Sequence, residues 1–360
     1  MNTPILTALA TYVPPAVSFD EWCQIEKQLA AMPLSEWSRL VYPSWFVSYG
    51  LDLQQLTAPS EGSSSVSGTL GGPNRDFVPI EQHRDLSELA VHVARPICAR
   101  SDRRTPSADV VIFCHSSLNE HVSTTTAGRL CALIGERPFS FSLAQQQGAS
   151  VFSALRVASD LLLAEPELRA ILIVAAEKWC YPFTRRIGRW TMQGDAAGAL
   201  LLERETLQTS KRGLRLLATS VQPLRRADAP FGLPASLSET NAIFAASLVA
   251  LINTLLRQQG LSSGDVTAVI GHQVNGLLVD ALSQQLGLPR VHCVVDQRAY
   301  LGTAEFIVRL AETLDAVEVE QGSLLLAWGI GLGGYVSCAL LESLGTPPLC
   351  FTDPSPMGQT

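Results

Sequence analysis

The 360-residue chain is short of charge, with Asp, Glu, Lys and Arg making up 16% of it, and its 26 basic residues are outnumbered by 33 acidic ones, giving a net charge of −7 at pH 7. That balance argues against a nucleic-acid partner, which needs a clustered basic face to hold phosphates. There is no C-x-x-C pair: the eight cysteines (Cys23, Cys98, Cys114, Cys131, Cys180, Cys293, Cys338, Cys350) are scattered. Neither a disulfide framework nor a metal site is expected, and reduced thiols in a cytoplasm are. No basic, apolar leader opens the sequence and no run of about 18 apolar residues occurs, so neither secretion nor a membrane span is expected.

What is present is a large apolar fraction, 47% of the residues, enough for one large α/β domain or two similar halves. A strand is expected at Ile5 to Tyr12, followed by a helix begun by Ser18 or Asp20 and an aromatic-rich stretch, EWSRLVYPSWFVSYGL. The Ser-, Gly- and Pro-rich segment that follows has no period, and 59–84 is taken as a surface insertion. A helix is expected over about Asp85 to Arg100. From Ser107 onward short apolar strands alternate with helices: ADVVIFCHSS, STTTAGRLCALIG, FSFSLA, GASVFSALRVASDLLLA, LRAILIVAAE and GDAAGALLLER. Such strands imply a sheet covered on both faces.

The same order then returns as VTAVIGHQVN, GLLVDALSQQLGL, RVHCVVD, GTAEFIVRLAETLD, GSLLLAWGIGLGGY and VSCALLES. VVIFCH, ending at His115, echoes TAVIGH, ending at His272, and FSALRVASDLL echoes FIVRLAETL. A period this long means an internal duplication, divided here into 1–205 and 206–360. Paired about a pseudo-twofold axis, the helix starts at Gly148 and Gly302 face one shared cleft at the carboxyl ends of the strands.

That cleft collects the candidate chemistry. His272, in GHQVNG, reaches it from a strand end, whereas His115 is read as a polar wall. Gly331 and Gly333, in WGIGLGGY, suit a bulge or a backbone N–H donor to an oxyanion. Arg185, Arg186 and Arg189, in FTRRIGRW, suit a solvated face or a rim for a phosphate-bearing partner.

These motifs, in this order, resemble the thiolase superfamily, specifically β-ketoacyl-acyl-carrier-protein synthase III. HQVN resembles that family's H-Q-A-N, GDAAGALLL its G-D-G-A-G-A-x-x-L, WGIGLGGYVSCALL its terminal glycine loop and strand, and YGLDLQQLTAPSEGSSS its T-G-I-x-x-R segment. The resemblance implies a five-layer αβαβα fold with two duplicated halves, usually a homodimer. It also implies acyl transfer between thioesters on coenzyme A or acyl carrier protein, with no cofactor beyond those thioesters. His272 matches the family's catalytic histidine, and Gly331 and Gly333 its glycine loop. Tyr300 stands where the family has asparagine, and Ser48 where it has an arginine, with Trp37 and Arg39 as loose substitutes.

The family's nucleophilic cysteine is missing: different matches place Gln147, Gly148 or Ala149 at its position. Four readings stay open. Ser150 could be the nucleophile with His272 as base; Gln147 could replace the thiol, as in decarboxylating ketosynthases; the chain could be the cysteine-less partner of an active homologue; or Ala149 could be an engineered replacement that traps substrate. The expectation is an acyltransferase or condensing-type enzyme of fatty-acid-like or specialised metabolism, cytoplasmic and dimeric, with the catalytically deficient subunit as alternative.

Overall fold

The computed structural model describes residues 3–18, 21–22, 24, 77–99, 108–117, 125–134, 138–179, 185–187, 191–206, 212–224, 237–274, 276–288 and 299–352. The aromatic-rich stretch, the segment 59–76, most of the helix expected after Ser18, the strand RVHCVVD and Arg189 lie outside these residues. Before the regular alternation come β1 (Ile5–Tyr12), β2 (Ala16–Ser18), β3 (Phe77–Pro79) and α1 (Leu86–Cys98). The first α/β run holds β4 (Val110–His115), α2 (Thr126–Ile134), β5 (Phe139–Ala144), α3 (Ser150–Ala164) and β6 (Ala170–Glu177). It closes with a small ribbon of β7 (Arg186–Ile187) and β8 (Thr191–Met192), then β9 (Ala196–Glu203). The second run is β10 (Gly213–Pro223), α4 (Leu237–Gln258), β11 (Ala268–Gly271), α5 (Gly276–Leu286), α6 (Glu305–Ala316), β12 (Leu324–Gly331), β13 (Tyr335–Gly345) and β14 (Leu349–Phe351).

The principal sheet runs β11-β12-β13-β10-β1-β9-β6-β4-β5, with β14 also on β1. Outward from its centre, the first half reads β1, β9, β6, β4 and the second β10, β13, β12, β11, so in sequence order both halves run first, last, penultimate, second. The halves join where β1 meets β10 over only two residue pairs, Ile5 with Arg215 and Leu6 with Leu214. The boundary expected at 205/206 falls between β9 and β10.

Strand alternation sets the layers. In β4, Val110, Ile112 and Cys114 enter a cluster built around α3 and α6, while Val111 and Phe113 face α1 and α2. Side chains of successive strand residues point to opposite faces, and here both faces are apolar. In the second half, Leu325 and Ala327 of β12 face α3 and α6, whereas Leu326 and Trp328 face α4 and α5. The result is five layers: α1/α2, half-sheet, α3/α6, half-sheet, α4/α5. Phe152 and Phe306 bind the central helices to each other, ring centroids 4.9 Å apart; each large apolar side chain so buried contributes roughly 1.5–3 kcal/mol. Asn241–Gln258 of α4 is long and apolar enough to cross a membrane, yet Leu248, Leu251, Ile252 and Leu255 spend that apolarity on the second half-sheet.

One expectation needs correcting. Residues 77–84, assigned to the surface insertion, are built into the fold: β3 pairs with β2 through Val78 and Val17, and Val78, Glu81 and Arg84 are buried. The polar groups of this stretch are satisfied within the fold. Glu81 accepts from the Tyr12 hydroxyl at 2.7 Å and from the amides of His83 and Arg84 at 2.8 and 3.1 Å, and its own N–H donates to Asp195 at 2.9 Å.

Candidate active site

After β5 the chain turns sharply into α3 through one turn of 3-10 helix, Gln147–Ala149. Gln145 and Gln147 adopt φ of 68° and 47°, left-handed values that cost a non-glycine residue roughly 1–2 kcal/mol. Side chains hold the turn in place. The Gln147 amide oxygen accepts from the Leu332 N–H at 2.6 Å, and the Gln146 oxygen accepts from the Ser153 hydroxyl. Gly331 packs so closely on the Gln146 carbonyl that no Cβ would fit. Gly333 has no such constraint; the turn glycine is Gly334, at φ 96°, whose N–H donates to Gly331 O at 2.9 Å. The glycine loop therefore lies on the elbow, with its Leu332 donor already engaged by Gln147.

Of the three positions proposed for the missing thiol, 148 is the one that points at the imidazole. A Cβ built on Gly148 would collide with the Tyr300 hydroxyl, with His272 Cε1 and with the Ile330 carbonyl oxygen. The Tyr300 oxygen takes the space instead: it donates to Ile330 O at 3.0 Å and receives the Gly148 N–H at the start of α3. Burial and the nearby Glu305 and Glu177 carboxylates push the phenol well above its usual pKa, so it stays neutral.

His272 is buried, and its protonation can be read from its partners. Nδ1 accepts from the Ile330 N–H at 3.2 Å, which assigns the ring proton of the neutral imidazole to Nε2. Nε2 is buried over Gly329 with no hydrogen-bond partner. Desolvation lowers the imidazole pKa to about 4, against the opposing pull of Glu305, so the ring is uncharged at neutral pH. A neutral N–H donor without an acceptor suits the oxygen of a carbonyl that develops negative charge.

Ser150 does not pair with His272. Its hydroxyl is buried without a partner, and as the residue two beyond Gly148 at a helix start it faces a different side. The Nε2 lone pair that a serine–histidine base mechanism needs carries the proton instead. Ala149 is buried, and the Gln147 amide is committed to Leu332. Arg185 is also not a rim residue. It is buried, and its guanidinium grips Asp195 through two bonds of 2.7 and 2.8 Å while donating to Trp179 O at 2.8 Å. A basic run in sequence looks the same whether its members face solvent or an internal carboxylate. For Arg186 only the backbone, in β7, is described. His115 stacks on Phe113, with Nδ1 2.9 Å from Ser117 O.

Sequence reasoning passed over two buried carboxylates. Glu305, the first residue of α6, accepts from the Gln273 N–H at 2.9 Å and the Leu301 N–H at 2.7 Å and is paired with Arg309 at 3.0 Å. The signal was an acid and a base four apart on the otherwise apolar helix EFIVRL. Glu177 serves the mirror elbow: its carboxylate accepts from the Thr303 N–H and hydroxyl at 3.2 and 2.9 Å and from the Ser117 N–H at 2.7 Å. Among the described residues no cluster of metal-ligating side chains occurs.

The comparisons agree with this architecture. Residues 256–343 match the family model for the C-terminal part of 3-oxoacyl-[acyl-carrier-protein] synthase III. The β-ketoacyl-[acyl-carrier-protein] synthase III of Acidiphilium cryptum is 23% identical over 281 residues, 72% of this chain and 85% of that one. The enzyme of the same name from Streptococcus equi subsp. zooepidemicus is 25% identical over 309 residues, covering 78% and 91%. The solved 3-oxoacyl-[acyl-carrier-protein] synthase III of Aquifex aeolicus superposes with a TM-score of 0.68 at 16% identity, covering 95% of this chain and 100% of that one. The acyltransferase ChlB3 superposes with a TM-score of 0.69 at 21% identity, covering 96% and 98%. This chain, with duplicated half-sheets around two central helices, an imidazole facing the elbow of the first and a glycine loop closing over it, is thus similar in fold, and over residues 256–343 in sequence, to 3-oxoacyl-[acyl-carrier-protein] synthase III.

Proposed function

We propose that this protein acts on an acyl thioester, carried by coenzyme A or an acyl carrier protein, without forming an acyl-enzyme. The observation that carries the reading is the single proton of His272, held on Nε2 by the Ile330 amide and left without an acceptor. In acyl transfer to a second substrate, attack on the thioester carbon places negative charge on the carbonyl oxygen. In loss of carbon dioxide from a malonyl-type thioester, the enolate oxygen carries the same charge. The Nε2–H would donate to that oxygen in either case. Position 148 offers no side chain to take the acyl group.

Intact-mass spectrometry after incubation with acetyl- and malonyl-coenzyme A tests the reading, together with assays of thiol release and carbon dioxide release. The expected outcome is turnover that falls at least 10²-fold in His272→Ala, with no covalent mass gain. A stable acyl adduct, or turnover indifferent to His272, would overturn it.

A second reading has its own observation. Tyr300 fills the space beside Gly148 and Nε2 is enclosed, as expected of a catalytically deficient subunit paired with a cysteine-bearing homologue. A chain that is inert alone yet forms a stoichiometric complex on which the homologue's turnover depends would favour this reading. A homodimer with its own turnover would favour the first.

A further inference from the structure

We infer that Glu305 is the positioning residue of this site, a clamp that sets His272 and Tyr300 relative to each other through the backbone. One carboxylate oxygen accepts from the amide of Gln273, the residue after His272, at 2.9 Å, and the other from the amide of Leu301, the residue after Tyr300, at 2.7 Å. These two segments come from different stretches of chain, the end of β11 and the approach to α6. The two side chains also meet directly, by the tilted contact of their rings, centroids 5.6 Å apart, and the long Tyr300 Oη to His272 Nδ1 approach, 3.5 Å, and through the Ile330 backbone, whose N–H and C=O serve one ring each. Glu305 touches neither ring as a hydrogen-bond partner, so it acts through their neighbours.

The carboxylate is suited to the task. It lies at the amino end of α6, where the helix dipole favours an anion, and the Arg309 guanidinium, also buried, pairs with it at 3.0 Å. Arg309 is itself fixed from the far side by Glu312 at 3.1 Å. A buried carboxylate bonded by two amides and one guanidinium is rigid, because each lone pair is directed. Two functional segments are therefore indexed to the first turn of one helix.

The inference rests on His272 being the working group of the proposed function, and its test separates the two. In protein labelled with 15N-histidine, the His272 ring of the native chain should show one tautomer, protonated on Nε2. Glu305→Gln has a single acceptor oxygen and an NH2 group that opposes the second amide, so it can hold only one segment at a time and releases each in turn. The expected result is a folded protein whose His272 signals report mixed tautomers, with faster amide exchange at both 272–274 and 300–302. Where turnover is present, kcat should fall at least tenfold with KM within about twofold.

Glu305→Asp, one methylene shorter, should release one segment and keep the other. A merely structural Glu305 would lower the melting temperature but leave the His272 tautomer, exchange at both segments and kcat unchanged, and that result overturns the inference. The native protein gives a reading that no variant can spoil: the Gln273 and Leu301 amides must exchange together and slowly, and exchange of either at open-loop rates refutes the clamp. Loss of activity in His272→Ala bears on the proposed function alone; the amide exchange, and the change in His272 tautomer between the native chain and Glu305→Gln, bear on Glu305 alone.

Discussion

Tyr300 and Gly148 share the space of one ordinary side chain: the phenol oxygen of Tyr300, bonded to the carbonyl of Ile330, leaves no room for a Cβ on residue 148. The elbow glycine that faces the imidazole and the tyrosine expected at the asparagine position of the resembled family thus form one structural unit. The amino end of α3 still has a polar oxygen on it, supplied by a side chain from the other half of the molecule.

Restoring a side chain at 148 should therefore be costly while Tyr300 is present. Gly148→Ala forces a methyl into the Tyr300 hydroxyl and the Ile330 carbonyl oxygen, and overpacking of this kind destabilises by about 1–3 kcal/mol. In a Tyr300→Phe background the cost should shrink, because the hydroxyl is gone and the ring can move. Urea midpoints of the four proteins form a double-mutant cycle; equal costs in both backgrounds would show that the two residues are independent.

Changing both residues together should create an acylatable site. Gly148→Cys with Tyr300→Asn places a thiol at the start of α3, where the dipole favours thiolate, beside an imidazole and with the phenol removed, leaving His272 Cε1 and the Ile330 carbonyl oxygen to shift. Gly148→Cys alone leaves the phenol in the way. Intact mass after incubation with acetyl-coenzyme A should show an acyl adduct on the double variant only, removed by hydroxylamine. An adduct of equal yield on the single variant would mean that Tyr300 is no obstacle.

The layers were legible in the sequence because β4, β6, β9 and β12 are near-continuous apolar runs separated by helical periods, and because TAVIGH and FIVRLAETL repeat patterns met earlier. His272 and the elbow could be placed from that repetition, since equivalent turns of two like halves face each other, whereas Tyr300 was singled out only by the resemblance, as the residue at the family's asparagine position. Which of Gln147, Gly148 and Ala149 points at the imidazole was not legible; it depends on two left-handed residues, Gln145 and Gln147, in a conformation that no composition rule assigns to glutamine. Arg185 was misjudged because its partner, Asp195, sits in GDAAGALLL, a motif read for its glycines and not for its charge. Glu305 was missed because a buried carboxylate that accepts only backbone amides and one arginine has the sequence appearance of an exposed helix pair.

Arg185→Ala should damage the fold before it damages recognition. Removing it leaves Asp195 buried without its guanidinium, and breaking a buried pair in this way costs about 3–5 kcal/mol. Asp195 also holds the amides of Glu81 and Trp179, both at 2.9 Å, so three segments lose a common anchor. The expected result is a lower urea midpoint that added salt does not recover. A stable Arg185→Ala protein with salt-dependent loss of carrier-protein affinity would return the residue to the rim.

The buried imidazole should also leave a signature in stability against pH. Its native pKa is about 4, lowered by desolvation from 6.5, so on acidification the unfolded chain takes up a proton before the folded one does. Stability rises with pH wherever the unfolded state binds more protons. The contribution is therefore fully present above about pH 6.5, falls as the pH drops, and levels off below about 4, a loss on the order of 3 kcal/mol across the window. Glu305, whose carboxyl is held below its ordinary range against the cost of burial chiefly by Arg309, acts in the same direction at lower pH. The comparison is thus made between pH 7 and pH 5, before carboxylates dominate. Between pH 7 and pH 5, urea unfolding of the wild type should lose roughly 2 kcal/mol more than His272→Gln, which has nothing to protonate at that position. Parallel stability curves for the two proteins would mean that His272 is charged, or solvated, in the native state, and the neutral Nε2–H donor would go with it.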